Sequence, residues 1–276
     1  MFYPCIGLGE PVLDWVVVIN NGSIQIQTKL EIKLKKLLKV WRRITQTKQE
    51  KWLEKQRTIG AHMVWKDQPF YRNALEKYGL SVAGIPEIRC FFLQSCIRSL
   101  HRLDGDVIEC GTRKGKSALY MLEACEAKRE IFLFDSFEGL SDPVEGKDTI
   151  KNVFEKDGKT RIFNENFVEI TERFESYSNV HLMKGWIPDR FAEVENRKIA
   201  LLHVDVDMYQ PTLDSFEFFY EKMVPGGIII CDDYGSGAYP GARDAMDSFF
   251  ANKPESPIEL PQGQAFVIKQ QISPQR

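Results

Sequence analysis

The sequence lacks several features that would assign it to a class directly. No apolar run approaches the roughly 18 residues that a membrane helix needs. The apolar start has no basic segment and is interrupted by Glu10 and Asp14, so we expect neither a spanning helix nor a signal peptide. The net charge of −2 lacks the basic excess of a nucleic-acid-binding protein. The six cysteines form no CxxC pair, which favours buried thiols and a cytoplasmic location.

The first 60 residues are predicted to form an N-terminal arm. Two short apolar runs flank Asn21-Gly22, a favoured hairpin turn. Residues 28–57 carry eleven Lys and Arg against three Glu, with apolar side chains at intervals of three and four, which predicts a basic amphipathic helix. Peripheral contact with an anionic membrane surface is one use of such a helix. We favour the other, packing against the main domain or a second subunit, and expect a homo-oligomer.

From Gly105 onwards, strand and helix patterns alternate. The apolar runs DVIECG, EIFLFD, VHLMKG, IALLHVDVD and GGIIICDD are each followed by a helical pattern, and PIELPQ and QAFVIKQ end the alternation as two further strands. This order predicts a Rossmann-like α/β fold, with a mostly parallel seven-stranded sheet, helices on both faces and a C-terminal antiparallel strand pair. Ligands of such folds bind beyond the carboxyl ends of the strands.

The junction of the first strand and its helix, DVIECGTRKGKSALYM, indicates a nucleotide-like cofactor. Gly111 and Gly115 allow a tight turn beside the helix N-terminus. Asp135 ends the next strand, where an acidic residue commonly binds ribose hydroxyls. Arg113 stands where a dinucleotide fingerprint has its middle glycine. We therefore favour S-adenosylmethionine over NAD, while the alternative that the glycines only serve the turn stays open.

Carboxylates end two further strands that we expect to be neighbours. Asp205 and Asp207 end one strand, on the same face by strand alternation, and Asp232 and Asp233 end the next. Such a group repels itself unless a cation neutralises it, and oxygen ligands suit Mg²⁺ or Ca²⁺. Capping of helices and turns would explain one of these acids but poorly explains them all. His203 is expected in the core or behind the ligands, not as a ligand.

A metal ion beside a methyl donor has a clear chemical use. Mg²⁺ lowers the pKa of a coordinated hydroxyl and orients its oxygen towards the sulfonium methyl group. A nearby carboxylate can accept the proton. The pattern therefore predicts O-methyl transfer.

Several segments together resemble the macrocin O-methyltransferase family, which consists of metal-dependent class I enzymes that methylate sugar hydroxyls on macrolide and aminocoumarin antibiotics. These segments are GDVIECGTRKG, FLFDSFEGL, LMKGWIPD, LLHVDVDMYQPTLDSFEFFYEKMVPGGIIICDDYG and GARDAMDSFF. The resemblance covers about residues 60–270, so we expect the hairpin and basic helix to lie outside it. It implies a class I methyltransferase domain over residues 61–276.

The resemblance also implies roles for individual residues. Mg²⁺ would be bound by Asp205, Asp232 and Asp233, and Asp205 or Asp207 would accept the proton. The residues expected to contact S-adenosylmethionine are Glu109, Gly111, Thr112, Gly115, Ser117, Asp135, Ser136, Phe137, Gly185, Trp186 and Asp205.

Two departures from the family pattern limit what it implies. The first loop reads TRKG, where the family often has a small or aromatic residue followed by Arg-Gly. The loop over residues 141–170 contains no histidine that could act as a base. We expect a sugar or glycosylated natural product as acceptor. The alternatives are a catechol-type O-methyltransferase, an NAD-dependent oxidoreductase and a scaffold that binds the cofactor without catalysis.

Overall fold

The computed structural model describes residues 15–20, 23–28, 64–79, 82, 84–125, 129–149 and 153–271. By its internal contacts the chain forms two compact units, Met1–His62 and Met63–Arg276. The assignment of the first 60 residues to an arm stays a prediction.

The first unit contains a β-hairpin. Strands β1 (Trp15–Asn20) and β2 (Ser23–Thr28) pair antiparallel, with Asn20 opposite Ser23. The two strands predicted on either side of Asn21-Gly22 therefore pair with each other. The predicted basic helix lies outside the described residues apart from its first residue, Thr28, which ends β2.

The second unit is built on a seven-stranded sheet. Its strands are β3 (Asp106–Cys110), β4 (Ile131–Asp135), β5 (Val180–Lys184), β6 (Ile199–Val204), β7 (Met223–Cys231), β8 (Ile258–Glu259) and β9 (Ala265–Ile268). They lie in the order β5-β4-β3-β6-β7-β9-β8. Strands β3 to β7 are parallel, and β9 is antiparallel to both β7 and β8. The predicted fold class is confirmed.

Burial along the strands follows their place in the sheet. Every residue of the central strand β6 is buried, whereas the edge strand β5 buries only Met183 fully. A parallel sheet covered on both faces needs such continuous apolar strands. Ile108, Leu202 and Ile229 of three neighbouring strands share one core with Phe216 and Phe219.

Helices flank the sheet. They are α1 (Pro69–Tyr78), α2 (Glu87–Ser99), α3 (Lys116–Cys125), α4 (Phe167–Phe174), α5 (Tyr209–Phe219) and α6 (Pro240–Phe250), with 3₁₀ turns at Val64–Asp67, Phe191–Val194 and Tyr220–Lys222. Proline at the first turn of α1 and α6 suits a position whose N–H needs no partner. The Asn166 side chain caps α4 by accepting the Val168 N–H. Within the ranges described, no helix combines the length and apolar character that a membrane span requires.

The strand order reverses at the centre of the sheet. From β3 the chain adds β4 and β5 on one side, then returns to place β6 and β7 on the other. A crevice forms at such a switch point, beyond the carboxyl ends of the strands. The loops after β3, β4, β6 and β7 therefore meet around one site.

Candidate active site

A cleft of about 230 Å³ opens at this switch point. The loops after β3, β4, β6 and β7 contribute to its walls, together with four residues around the start of α2, namely Gly84, Ile85, Pro86 and Arg89. Ten of the predicted site residues line it, namely Gly111, Thr112, Ser117, Asp135, Ser136, Trp186, Asp205, Asp207, Asp232 and Asp233. Glu109, Gly115, Phe137 and Gly185 are not among its lining residues.

The glycines of the first loop have packing reasons of their own. Gly111 has a φ of +91°, and a Cβ there would lie 1.9 Å from the Asp205 carbonyl oxygen. Gly115 has a φ of +77°, and its Cβ would lie 2.6 Å from the Phe174 ring. Both contacts are too close for any side chain. The turn therefore requires these glycines whether or not a ligand is bound, and Gly111 fixes the β3 loop directly against the end of β6.

Asp135 organises the wall after β4. Its Oδ2 accepts the Arg113 N–H and its Oδ1 accepts the Phe137 N–H, each at 2.6 Å. Burial raises the pKa of Asp135, although these backbone donors oppose the shift. A carboxylate has about four acceptor positions. The backbone N–H groups of Arg113, Phe137 and Thr112 act on this one, which leaves about one position for a hydroxyl of a ligand in the cleft.

Two other polar atoms of this wall have no partner within the described part of the chain. The Thr112 and Ser141 hydroxyl oxygens are buried and make no hydrogen bond there, although both residues line the cleft. A buried polar atom without a partner is costly. These hydroxyls are therefore available to a bound ligand.

Left-handed backbone marks the rim of the cleft. Among the described residues, those other than glycine with a positive φ are Arg113, Phe137, Phe163 and Asp207. Such conformations cost of order 1–3 kcal/mol for a non-glycine residue and concentrate at functional sites. Three of the four line the cleft, and Phe137 follows Asp135 and Ser136 in the chain. The sequence gives no signal for this strain.

The carboxylates after β6 and β7 form the acid cluster, which we define as Asp205, Asp207, Asp232 and Asp233. Strand β6 ends at Val204, and Asp207 has a φ of +61°. Strand alternation therefore does not relate Asp205 to Asp207, and that part of our prediction is wrong. A turn after the strand brings both carboxyl groups to Asp233 instead, and both interact with it.

Burial and mutual repulsion dominate most of this cluster. Burial, and then the charges of Asp232 and Asp233, raise the pKa of Asp205 well above its ordinary value. Burial and the charge of Asp233 do the same to the pKa of Asp207. The pKa of Asp233 is also raised, by burial and by Asp232. Within the residues that the structure describes, Asp233 Oδ2 is buried without a hydrogen-bond partner.

Asp232 is the exception because protein donors surround it. Its Oδ1 accepts the Gln264 amide at 2.6 Å and lies 3.3 Å from His203 Nε2, and its Oδ2 pairs with Arg89 Nη1. Burial alone would raise the pKa of Asp232, but His203, Arg89 and Gln264 together lower it. Sequence reasoning missed Arg89 and Gln264, because neither lies within a recognisable motif.

His203 connects the acid cluster to β3. Its Nδ1 lies 3.0 Å from Glu109 Oε1, and its Nε2 faces Asp232, with all three side chains fully buried. Burial lowers the pKa of His203, but the hydrogen bonds to Asp232 and Glu109 outweigh it and raise the pKa to about 9. The protonated ring has no lone pair for a metal, in agreement with the expectation that His203 lies behind the ligands.

The acid cluster fits a divalent cation. Asp205 and Asp232 offer oxygen atoms that lie, with a His203 nitrogen, within 4.8 Å of one another in the described residues. Asp233 adds an oxygen that has no other partner in that part of the chain. A hard cation such as Mg²⁺ takes carboxylate oxygens and would relieve the repulsion that raises the pKa values of Asp205 and Asp233.

The segment between β4 and α4 forms a further wall. A small apolar cluster, made of Leu140, Val153 and Met208 with Phe163 packed against it, holds this segment in place. Arg113 stacks on the Phe163 ring at 4.2 Å, and its Nε donates to Glu165 at 3.0 Å. This wall combines an aromatic ring with charged groups beside Asp207, whose pKa Arg113 acts to lower.

Comparison with known proteins identifies the family. The profile of the macrocin-O-methyltransferase (TylF) family matches residues 22–261. The chain belongs to this family. The match begins within the hairpin, so our expectation that the hairpin and basic helix lie outside the resemblance is wrong.

Individual relatives are O-methyltransferases of glycosylated natural products. The chain is 28% identical over 173 residues to the 8-demethyl-8-(2,3-dimethoxy-alpha-L-rhamnosyl)-tetracenomycin-C 4'-O-methyltransferase of Streptomyces olivaceus, covering 57% of this chain and 63% of the relative. It is 27% identical over 175 residues to the demethyldecarbamoylnovobiocin O-methyltransferase of Streptomyces niveus, covering 58% and 64%. The matched region thus spans slightly less than two thirds of each relative.

A solved structure supports the fold. The O-methyltransferase NovP superposes with a TM-score of 0.58 at 23% identity, over 68% of this chain and 81% of that chain. At this identity the likeness concerns the fold alone.

Proposed function

We propose that the protein is a Mg²⁺-dependent S-adenosylmethionine O-methyltransferase that acts on a hydroxyl group of a sugar or of a glycosylated natural product. The observation that carries the proposal is that Asp135 lines the same cleft as the acid cluster. Asp135 ends β4, where an acidic residue commonly binds ribose hydroxyls. Methyl transfer to a weakly acidic hydroxyl requires a bound methyl donor beside a cation that can lower the pKa of that hydroxyl.

The donor would lie against the loops after β3 and β4. Asp135 would accept a ribose hydroxyl, since it lines the cleft and keeps an acceptor position beyond its backbone donors. Thr112 and Ser136 line the same region and offer further polar contacts. When bound, S-adenosylmethionine would supply the methyl group from its sulfonium centre. NAD is disfavoured because Arg113 stands where a diphosphate-binding loop has glycine.

Asp205, Asp232 and Asp233 would hold the cation through carboxylate oxygens. When bound, Mg²⁺ would lower the pKa of the acceptor hydroxyl and hold its oxygen in position for in-line transfer. Asp207 would accept the hydroxyl proton. Burial and the charge of Asp233 raise the pKa of Asp207, which makes it a stronger base than an ordinary aspartate. Asp205 is the alternative base, but its place among the cation ligands argues for Asp207.

The names of the relatives support the proposed acceptor class. The Streptomyces olivaceus enzyme is named for a rhamnosyl substrate and the Streptomyces niveus enzyme for a novobiocin precursor. Phe163 and Arg113 beside Asp207 offer a ring face and polar groups of the kind that bind sugars. A catechol-type acceptor remains the second candidate, since the same cation chemistry activates a catechol hydroxyl.

The test is a screen with methyl-labelled S-adenosylmethionine and Mg²⁺ against rhamnosides, nucleotide-linked sugars, macrolide and aminocoumarin glycosides, and catechol. The expected result is label on a sugar hydroxyl. Label on catechol alone would replace the acceptor class. Calorimetry that detects NAD binding but no S-adenosylmethionine binding would overturn the donor assignment.

We further propose a cytoplasmic location and a homo-oligomer, with the basic segment over residues 28–57 packing as an arm. Peripheral membrane contact is the competing use of that segment. Sedimentation with anionic liposomes, comparing the full chain with a variant whose lysines in this segment are replaced by glutamine, separates the two. Equal sedimentation of both proteins excludes the membrane role.

A further inference from the structure

We propose that Arg89 is a built-in counter-cation of the acid cluster, which holds Asp232 and Asp233 until a divalent cation takes its place. This inference rests on the proposed cation site. It assigns Arg89 as a positioning residue for that site, although Arg89 lies on α2, more than a hundred residues from the carboxylates in the chain.

The contacts of Arg89 place its charge inside the cluster. Nη1 pairs with Asp232 Oδ2 and lies 3.8 Å from Asp233 Oδ1, and the side chain is only 15% exposed. Nε donates to the Gln262 carbonyl at 3.1 Å. Arg89 also lines the cleft, so its guanidinium group occupies space that a ligand of the carboxylates would share.

The hydrogen bonds of Asp232 decide which of its atoms a cation could bind. Each carboxylate oxygen has about two acceptor positions. Gln264 and His203 take both positions of Oδ1. Oδ2 is then the oxygen left for a cation, and Arg89 is paired with it. A metal ion and a guanidinium group at one oxygen repel each other strongly in a buried site, so the two compete.

The competition predicts the direction in which removal of Arg89 changes the affinity for a cation. Without Arg89 and without a metal ion, the buried carboxylates lose a neutralising charge that His203, which is shared with Glu109, does not replace. This loss destabilises the cation-free protein. The cation-loaded protein would lose little, because the metal ion supplies the missing charge. Removing Arg89 therefore tightens cation binding. Displacement of a charged hydrogen bond worth roughly 1.5–3 kcal/mol corresponds to about a tenfold or greater change in affinity.

Mn²⁺ binding measures this effect without any turnover. Wild type, Arg89→Gln and Arg89→Lys would be titrated with Mn²⁺ by electron paramagnetic resonance, with no donor or acceptor present, and their melting temperatures compared in chelator and in saturating Mn²⁺. Arg98→Gln is the matched control, because Arg98 lies on the same helix, stacks on Phe70 and does not line the cleft.

We expect Arg89→Gln to bind Mn²⁺ about tenfold more tightly than wild type, to melt lower than wild type in chelator and to recover in Mn²⁺. Arg89→Lys keeps the charge, so its Mn²⁺ affinity should stay closer to that of wild type. Arg98→Gln should have the Mn²⁺ affinity and melting temperatures of wild type. Equal or weaker Mn²⁺ binding by Arg89→Gln would overturn the inference, as would equal tightening by the lysine variant. If neither wild type nor Arg89→Gln binds Mn²⁺, the cation site fails, and this inference with it.

Discussion

The two halves of the cleft are built in different ways. The donor half, lined by Gly111–Lys114 with Asp135 and Ser136, relies on backbone: Gly111 has a positive φ, and backbone N–H groups converge on the Asp135 carboxylate. The acid half, formed by the acid cluster, relies on side chains that separate segments neutralise, with Arg89 from α2 and Gln264 from beside β9. The Arg113 N–H is 22 residues from Asp135 in the chain, whereas Arg89 is 143 residues from Asp232.

This difference predicts that a change in one half leaves the other working, except where the halves touch. Gly111 is that place, because its Cα faces the Asp205 carbonyl group. Gly111→Ala should break both halves at once and lower the free energy of unfolding by about 4 kcal/mol, through backbone overlap and a strained φ. Denaturant unfolding measures this. Gly237→Ala is the control, since a Cβ there meets nothing within 4 Å, and equal loss in both variants would contradict the account.

Asp205→Asn tests the acid half alone. It removes a cation ligand and should lower the rate of methyl transfer about 10³-fold, since a bound metal contributes several kcal/mol to catalysis. Mn²⁺ binding should weaken in parallel, while S-adenosylhomocysteine binding, measured by calorimetry, should change little. Asp214→Asn is the matched control, because Asp214 is on α5, contacts Gln210 and does not line the cleft. Normal Mn²⁺ affinity in Asp205→Asn would remove this residue from the ligand set.

Asp207→Asn sharpens the comparison within the acid half. Loss of the proton acceptor should lower the transfer rate about 10²-fold or more, yet leave Mn²⁺ binding near wild type, because Asp207 is not a proposed cation ligand. Single-turnover kinetics with bound donor measure the chemical step. A rate that is unchanged would transfer the role of base to Asp205.

Asp135→Asn is the smallest expected change and confines itself to the donor half. The amide can accept only one of the two backbone N–H groups with its oxygen, so we expect about tenfold weaker binding of S-adenosylhomocysteine. Mn²⁺ affinity should be unaffected. If Asp135→Asn weakened Mn²⁺ binding more than S-adenosylhomocysteine binding, the two halves would not be independent.

The sequence predicts the donor half better than the acid half. Alternating apolar runs identify the strands, and Gly111 and Asp135 follow them in short motifs, so local pattern is sufficient for the sheet and its first loops. The aspartates of the acid cluster are also visible, but their partners are not. Nothing near Arg89 or Gln264 in the chain indicates that each binds Asp232, because that contact exists only after helix and strand pack.

A further error has the same origin. We extended β6 to Asp207, although the strand ends at Val204 and Asp207, with its left-handed backbone, interacts with Asp233. Strand periodicity cannot show where the backbone turns. The cofactor contact expected of Glu109 stays a prediction, and the sequence did not indicate that its Oε1 faces His203.

By our proposal, a cation in the acid half activates the acceptor hydroxyl, while the donor half binds its ligand independently. The direct measurement is labelled methyl transfer to the acceptor found by screening, with chelator-treated wild type, with and without added Mg²⁺, alongside S-adenosylhomocysteine affinity under both conditions. We expect methyl transfer to fall to background in chelator and to return with Mg²⁺. The affinity for S-adenosylhomocysteine should be the same under both conditions. Full transfer in the presence of chelator would contradict it.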